Sequence, residues 1–217
     1  MDDGTLRRLR AEATRADYPS MARLAQALYD NGLTTREVLH ECYGVDFPIE
    51  FFVLAEADPW ELGLLVTCTD QPWRLAVPPD EGGPQPAADP SGPTERRLLA
   101  FDPDLLPLMY LLGSDSVPWD NQFVLCYRLS ELRANRSTVY RLRQQTTRPG
   151  KVRRLGDSLL SVLHEYHAKH VRDIEREQDD PDNWGAGAVP DEEVDAFRAL
   201  VERIEALQHE VAAREGR

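Results

Sequence analysis

Three histidines, His164, His167 and His170, recur every three residues along a stretch that reads as helix, with Glu165 beside the first. A zinc-protease helix needs two histidines four apart with a glutamate next to the first, so that both imidazoles face one ion. Steps of three drift around the helix by roughly 60° each. We read all three as structural, with His170 on the apolar face and its neighbours towards solvent. Cys42 follows His40 and Glu41, residue types that activate a thiol, but adjacency along a helix is not pairing in space. Asp102 with Asp104, and Asp179 with Asp180 and Asp182, could chelate calcium or magnesium. Neither group has the alternating ligands, central glycine and terminal glutamate of a calcium loop, so both read as solvated charge. No Gly-x-Ser-x-Gly elbow, P-loop or Gly-x-Gly-x-x-Gly occurs. The expectation is a non-catalytic chain with no metal and no cofactor.

Charge is the stronger signal. The 217 residues hold 38 acids against 25 bases, a net of −13. Arg128 to Arg154 runs the other way, with nine basic residues and the single acid Glu131. Along a strand Arg141 and Arg143 share a face, and with Tyr127 and Tyr140 nearby they could contact phosphates. The competing reading is internal counter-charge for carboxylates. The remaining acidic body repels nucleic acid and membranes and attracts basic proteins. Between residues 41 and 127, fifteen acids face only Arg74, Arg96 and Arg97. Asp58, Glu61, Asp70, Asp115 and Asp120 flank expected strands there, and these are the carboxylates singled out for partner binding.

The elements that would position these groups follow from periodicity. The first ~57 residues read as helices. Met21, Leu24, Ala25, Leu28 and Tyr29 form one apolar face. Asn31-Gly32 stops that helix, Thr34 to Glu37 is a capping box for the next, and Gly44 ends it. Pro48 opens a third helix that buries Phe51, Phe52 and Leu54. After Asp58-Pro59 the texture turns to β. Leu64–Thr69 and Trp73–Val77 read as strands joined by a turn at Asp70-Gln71-Pro72, and residues 78–95 as a polar loop. Further strands are expected at Arg97–Phe101, Phe123–Leu129, Thr138–Leu142 and Lys151–Leu155. Leu105–Leu112 reads as strand or buried helix, left ambiguous by Pro107. Asp157 or Ser158 then caps a long helix. Beyond a linker-like stretch, Val194, Phe197, Val201, Ile204 and Val211 line one side of a last helix, with Gln208 the polar position in that seam.

Three widely spaced cysteines, Cys42, Cys68 and Cys126, do not make a disulfide framework and read as buried thiols. The acidic start carries no apolar leader, and no apolar run approaches the ~20 residues of a membrane span. A cytoplasmic protein with no membrane partner is expected, and the excess of Arg over Lys points to a bacterial genome of high GC content.

Taken in order, the segments resemble the SUKH superfamily, the Smi/Knr-type proteins. Phe47-Pro48-Ile49-Glu50-Phe51-Phe52-Val53-Leu54 is similar to the family's helix-start motif, Val139-Tyr140 to its late strand, and Ser158-Leu159-Leu160-Ser161-Val162-Leu163 to the opening of its closing helix. The resemblance covers roughly residues 20–175. It implies an α+β fold, with N-terminal helices on a central, mostly antiparallel sheet and a closing helix, to which this chain adds a C-terminal amphipathic helix. Three parts are expected: residues 1–176 as the SUKH-like α+β domain, 177–190 as an acidic linker, and 191–217 as the amphipathic helix. Bacterial members of the family look like immunity proteins, which implies an inhibitor that neutralises a cognate basic toxin, for example a nuclease. Two alternatives stand beside it. One is a regulatory or scaffold protein that docks, or pairs with its own copy, through the C-terminal helix. The other is nucleic-acid binding through Arg128–Arg154.

Overall fold

A computed structural model describes residues 3–86, 92–112, 122–145, 151–178 and 189–216. The elements in chain order are α1 (Asp3–Glu12), α2 (Tyr18–Asp30), α3 (Thr35–Tyr43), α4 (Ile49–Glu56), β1 (Val66–Cys68), α5 (Gly92–Phe101), β2 (Leu105–Leu111), β3 (Phe123–Arg128), α6 (Leu129–Arg133), β4 (Val139–Arg143), β5 (Arg153–Gly156), α7 (Leu159–Gln178) and α8 (Asp191–Glu215). Short 3-10 turns fall at Trp73–Ala76 and Pro79–Glu81. The fold is α+β, with a five-stranded antiparallel sheet in the order β1-β2-β3-β4-β5 and a C-terminal helix. No described helix is long and apolar enough to cross a membrane.

The helix ends obey local chemistry. Asp17 accepts the Ser20 amide at 3.1 Å to open α2. At α3 the Thr34 side chain accepts the Glu37 amide while the Glu37 carboxylate accepts the Thr34 amide at 2.8 Å, so two otherwise unpaired donors are satisfied. Gly44 closes α3 with φ +66°, a conformation that costs other residues more than glycine.

Compactness divides the chain into two units: residues 1–48 with 66–157, and residues 49–65 with 158–217. The first holds the sheet. Strand β2 is buried at all seven positions, as its unbroken apolar run demands of a strand covered on both faces. Pro107 is tolerated because the β2–β3 register shifts between Pro107 and Met109, where a ladder hydrogen bond is already lost. One core cluster gathers Leu98, Leu105, Tyr110, Val124, Cys126 and Leu142, with Phe101 and Val152 against it.

Three expectations for this unit are corrected. Trp73–Ala76 is a 3-10 turn, not a strand. Trp73, Leu75 and Ala76 are all buried, so the stretch does not alternate, and Trp73 Nε1 donates to Leu108 O at 2.7 Å. The hairpin therefore does not form, and β1 pairs with β2 instead, with Val66 opposite Leu111. Arg97–Phe101 belongs to α5, because Glu95 and Leu98 turn inward at a spacing of three. The 78–95 loop is partly packed as well. Gly83 is buried, and a Cβ there would lie 2.5 Å from Val77 O, so only glycine permits the approach.

The second unit consists of α4, α7, α8 and the 57–65 connection. Phe51, Phe52, Val53 and Leu54 of α4 are buried, and both α7 and α8 pack on this helix. From α8 the unit buries Val194, Leu200, Ile204 and Leu207, while Phe197 and Val201 are half-buried. The seam thus runs slightly aside from the expected line, because Leu200 and Leu207 share it. Ser158 caps α7 as expected, accepting the Ser161 amide at 3.2 Å, but Asp157 does not. The larger cap comes from Glu50 of α4, which accepts the Leu159 amide at 2.9 Å and the Leu160 amide at 3.3 Å.

Candidate binding surfaces

Asp58 and Glu61 share one exposed turn of the α4 unit. Asp58 takes φ +53°, and its Oδ1 accepts the Trp60 amide at 3.2 Å. The Glu61 amide donates to Asp58 O at 3.0 Å. Trp60, held between them, is 43% exposed. Asp70 belongs to the sheet unit and is only 9% exposed; its carboxylate is ion-paired with Arg74, and its carbonyl accepts the Arg74 amide. That carboxylate is structural and is not presented to a partner. Asp115 and Asp120 lie outside the described residues.

Dividing the charge by unit changes the picture of the acidic body. The α4–α7–α8 unit carries nineteen acidic residues against seven basic ones, a net of −12, whereas the larger sheet unit is within one charge of neutral. Within the acidic unit Arg198 binds Glu175 at 2.7 Å and Asp195 at 2.8 Å. Arg214 binds Glu56 and Glu210, each at 2.6 Å, and Asp173 takes both Lys169 and Arg176. Four of the cations are thus consumed internally, while Asp191, Glu192, Glu193 and Glu202 stand exposed along α8. Sequence reasoning missed these α8 carboxylates. It counted charge along the chain, whereas the relevant sum joins residues 49–65 to 158–217.

The histidine helix resolves differently from expectation. His167, not His170, is the buried member, at 1% exposure. Its Nε2 accepts the Leu65 amide at 2.8 Å, so the ring proton sits on Nδ1, which donates to Leu163 O at 2.7 Å. Burial holds its pKa below the usual histidine value. His164 pairs with Glu205 at 2.9 Å, and His170 meets the Phe197 ring edge-on at 4.8 Å. Each imidazole has its own partner. Among the described residues no group of three potential ligands gathers to hold a metal ion.

Cys42 is half-buried in α3, and burial pushes its thiol up to about 12. His40 is bound to Asp46 at 2.8 Å and Glu41 to Arg10 at 2.7 Å, so neither is hydrogen-bonded to that sulfur. Cys126 is fully buried, which also pushes its thiol up, and Cys68 is buried too.

Among the described residues, three of the nine basic residues of the segment are ion-paired within the sheet unit. Arg128 binds Asp102 at 2.9 Å and Asp104 at 3.2 Å, and lies over the Tyr140 ring at 5.2 Å. The Asp102/Asp104 pair therefore holds a guanidinium. Burial raises the Asp104 pKa, but hydrogen bonds from Ser130 and Arg128 outweigh it and leave the carboxyl below its ordinary value. Arg136 binds Glu131 at 2.6 Å and Arg154 binds Asp157. These two pairs, with Thr138 and Tyr140, line an open groove of about 630 Å³ whose charges already cancel. Arg141 and Arg143 do share a strand face, each stacked on Phe123 at 4.8 and 4.9 Å. Asp179, Asp180 and Asp182, like Arg148, lie outside the described residues.

Comparison with known proteins finds no family model, no curated protein and no solved structure that matches this chain.

Proposed function

We propose that this chain is a non-catalytic protein-binding module of the SUKH-like immunity type, which captures and neutralises a basic toxin. The observation that carries the reading is the concentration of net charge in the α4–α7–α8 unit, nineteen acids against seven bases. A nuclease that holds phosphates with a basic surface is steered to its inhibitor by a field of opposite sign. Exposed Trp60, set between Asp58 and Glu61, supplies an aromatic anchor of the kind that dominates binding energy at such interfaces. The apolar seam of α8 is spent inside its own unit, which argues against docking or self-pairing through that seam.

Growth rescue tests the proposal. The product of the gene adjacent to this one is expressed with and without the chain, and the purified pair is followed by stopped flow. The expected result is protection, with an association rate that falls about tenfold between low and physiological salt while dissociation changes less. Reversing Asp58, Glu61, Glu192, Glu193 and Glu202 to lysine slows association by about tenfold or more. Association that ignores salt, or that depends on Arg141 and Arg143 and not on these carboxylates, overturns it.

A further inference from the structure

An open groove of about 670 Å³ lies within the sheet unit, walled by the α1–α2 turn, by α2 and α3, and by the stretch from α5 into β2. Its volume is that of a small-molecule site. Three arginines, Arg10, Arg15 and Arg96, are among the lining residues, against one acid, Glu41. That carboxylate is already taken, since Arg10 Nε and Nη2 lie 2.9 and 2.7 Å from it. Among the described lining residues no second acid is left for Arg15 and Arg96.

Arg15 is the more constrained of the two. Its Nη1 donates to Pro103 O at 2.8 Å and its Nη2 to Leu105 O, which fixes the plane of the guanidinium. No carboxylate among the described residues is hydrogen-bonded to it; Asp104, the nearby acid, is committed to Ser130 and Arg128. Carbonyls satisfy its hydrogen bonds but not its charge, and a partly desolvated cation without an anion is costly. Burial accordingly lowers its pKa, yet arginine remains charged throughout the physiological range. Arg96 is exposed on α5 and adds the second charge.

Apart from Thr14 and Cys42, the rest of the lining is apolar. Met21 and Leu24 are buried and Leu99 is half-buried. The neutral Cys42 thiol brings no competing anion. A wall that joins apolar residues to two arginines with no lining acid of their own selects a molecule that has both characters.

We propose that this groove binds a small amphiphilic anion, a carboxylate or phosphate head on a short apolar body, with Arg15 and Arg96 on the head and Leu99, Ala100 and Pro103 against the body. The site lies wholly in the sheet unit and does not depend on the capture of a toxin. A guanidinium fork suits either head group, because both present paired oxygens.

Titration calorimetry on the intact chain tests it, with octanoate and octyl phosphate below their micellar concentrations and octanol and octylammonium as controls. At least one anion is expected to bind one-to-one, about tenfold or more tighter than octanol, with octylammonium silent. The tighter of the two anions identifies the head group. Arg96→Ala should weaken the anion by about tenfold or more at unchanged melting temperature, since Arg96 is exposed. Leu99→Glu, which supplies a carboxylate from the wall itself, should abolish binding and gives a readout that leaves the structural Arg15 intact. Equal binding of octanol and the anions, binding of neither anion, or anion binding indifferent to both substitutions overturns the proposal.

Discussion

Glu50 Oε2 accepts a 2.6 Å hydrogen bond from Ser158 Oγ, joining the first turn of α4 to the residue that opens α7. The same buried carboxylate takes the first two amides of α7, so one side chain caps a helix more than a hundred positions away in the chain. An anion at a helix N-terminus is favoured by the dipole as well as by the hydrogen bonds. Glu50→Ala leaves those amides without their acceptor and should cost about 2–3 kcal/mol in urea unfolding, whereas Glu50→Gln should retain part of that. An alanine variant that unfolds at the wild-type midpoint would show the cap to be idle.

His167 predicts a pH dependence of stability. Burial, with the nearby His164 and His170 adding repulsion, holds the folded imidazole below its ordinary pKa despite the favourable Leu163 carbonyl. The unfolded chain titrates near ~6.5, so below that pH it binds a proton that the folded chain refuses. The contribution is therefore fully present above ~6.5 and is lost as pH falls, at up to about 1.4 kcal/mol per unit, until the folded pKa is reached. Urea midpoints at pH 7.5 and pH 5.5 measure it, and His167→Gln should remove that part of the slope.

Removing α8 tests its packing. Val194, Leu200, Ile204 and Leu207 are buried in the α4–α7–α8 unit. At about 1.5–3 kcal/mol for each large apolar side chain, truncation before Asp191 should destabilise the protein by several kcal/mol. A truncated chain that melts unchanged would mean that the helix packs only weakly on its neighbours.

Much of this architecture was legible in the sequence, and the failures have physical causes. The capping box at Thr34 and the left-handed Gly44 are local, so the residues that specify them sit within a few positions of each other. Phe123–Arg128 and Val139–Arg143 are short runs rich in β-branched and aromatic residues, and both form strands. Leu98-Leu99-Ala100-Phe101 misled because a short apolar run suits either period, and only the inward turn of Glu95 and Leu98 decides for helix. Trp73–Ala76 misled because its burial is set by contacts with β2 far along the chain. The Arg15 groove could not be foreseen, since its wall joins residues 10 to 42 with residues 96 to 103.

Thiol chemistry offers a simple check on the burial of α3. With Cys42 pushed up to about 12 by burial, almost none of it is thiolate at neutral pH. Ellman's reagent at pH 7.5 should label the native chain at least about a hundredfold more slowly than the urea-unfolded chain. Rapid labelling of one thiol under native conditions would show that burial does not hold the Cys42 thiol protonated.

The α4–α7–α8 unit is assembled from two pieces of chain that bracket the whole of Val66–Asp157. During synthesis α4 leaves the ribosome long before its partners exist, with Phe51, Phe52, Val53 and Leu54 awaiting cover. Bringing the two pieces together closes a loop whose entropy costs about 4 kcal/mol, unless the intervening sheet has already shortened it by folding. An order of events follows in which the meander forms first, strand upon neighbouring strand, and the helical unit closes last. A nascent chain that stalls before α7 is thus an aggregation hazard, and a chaperone that recognises exposed apolar helix should find its substrate at α4.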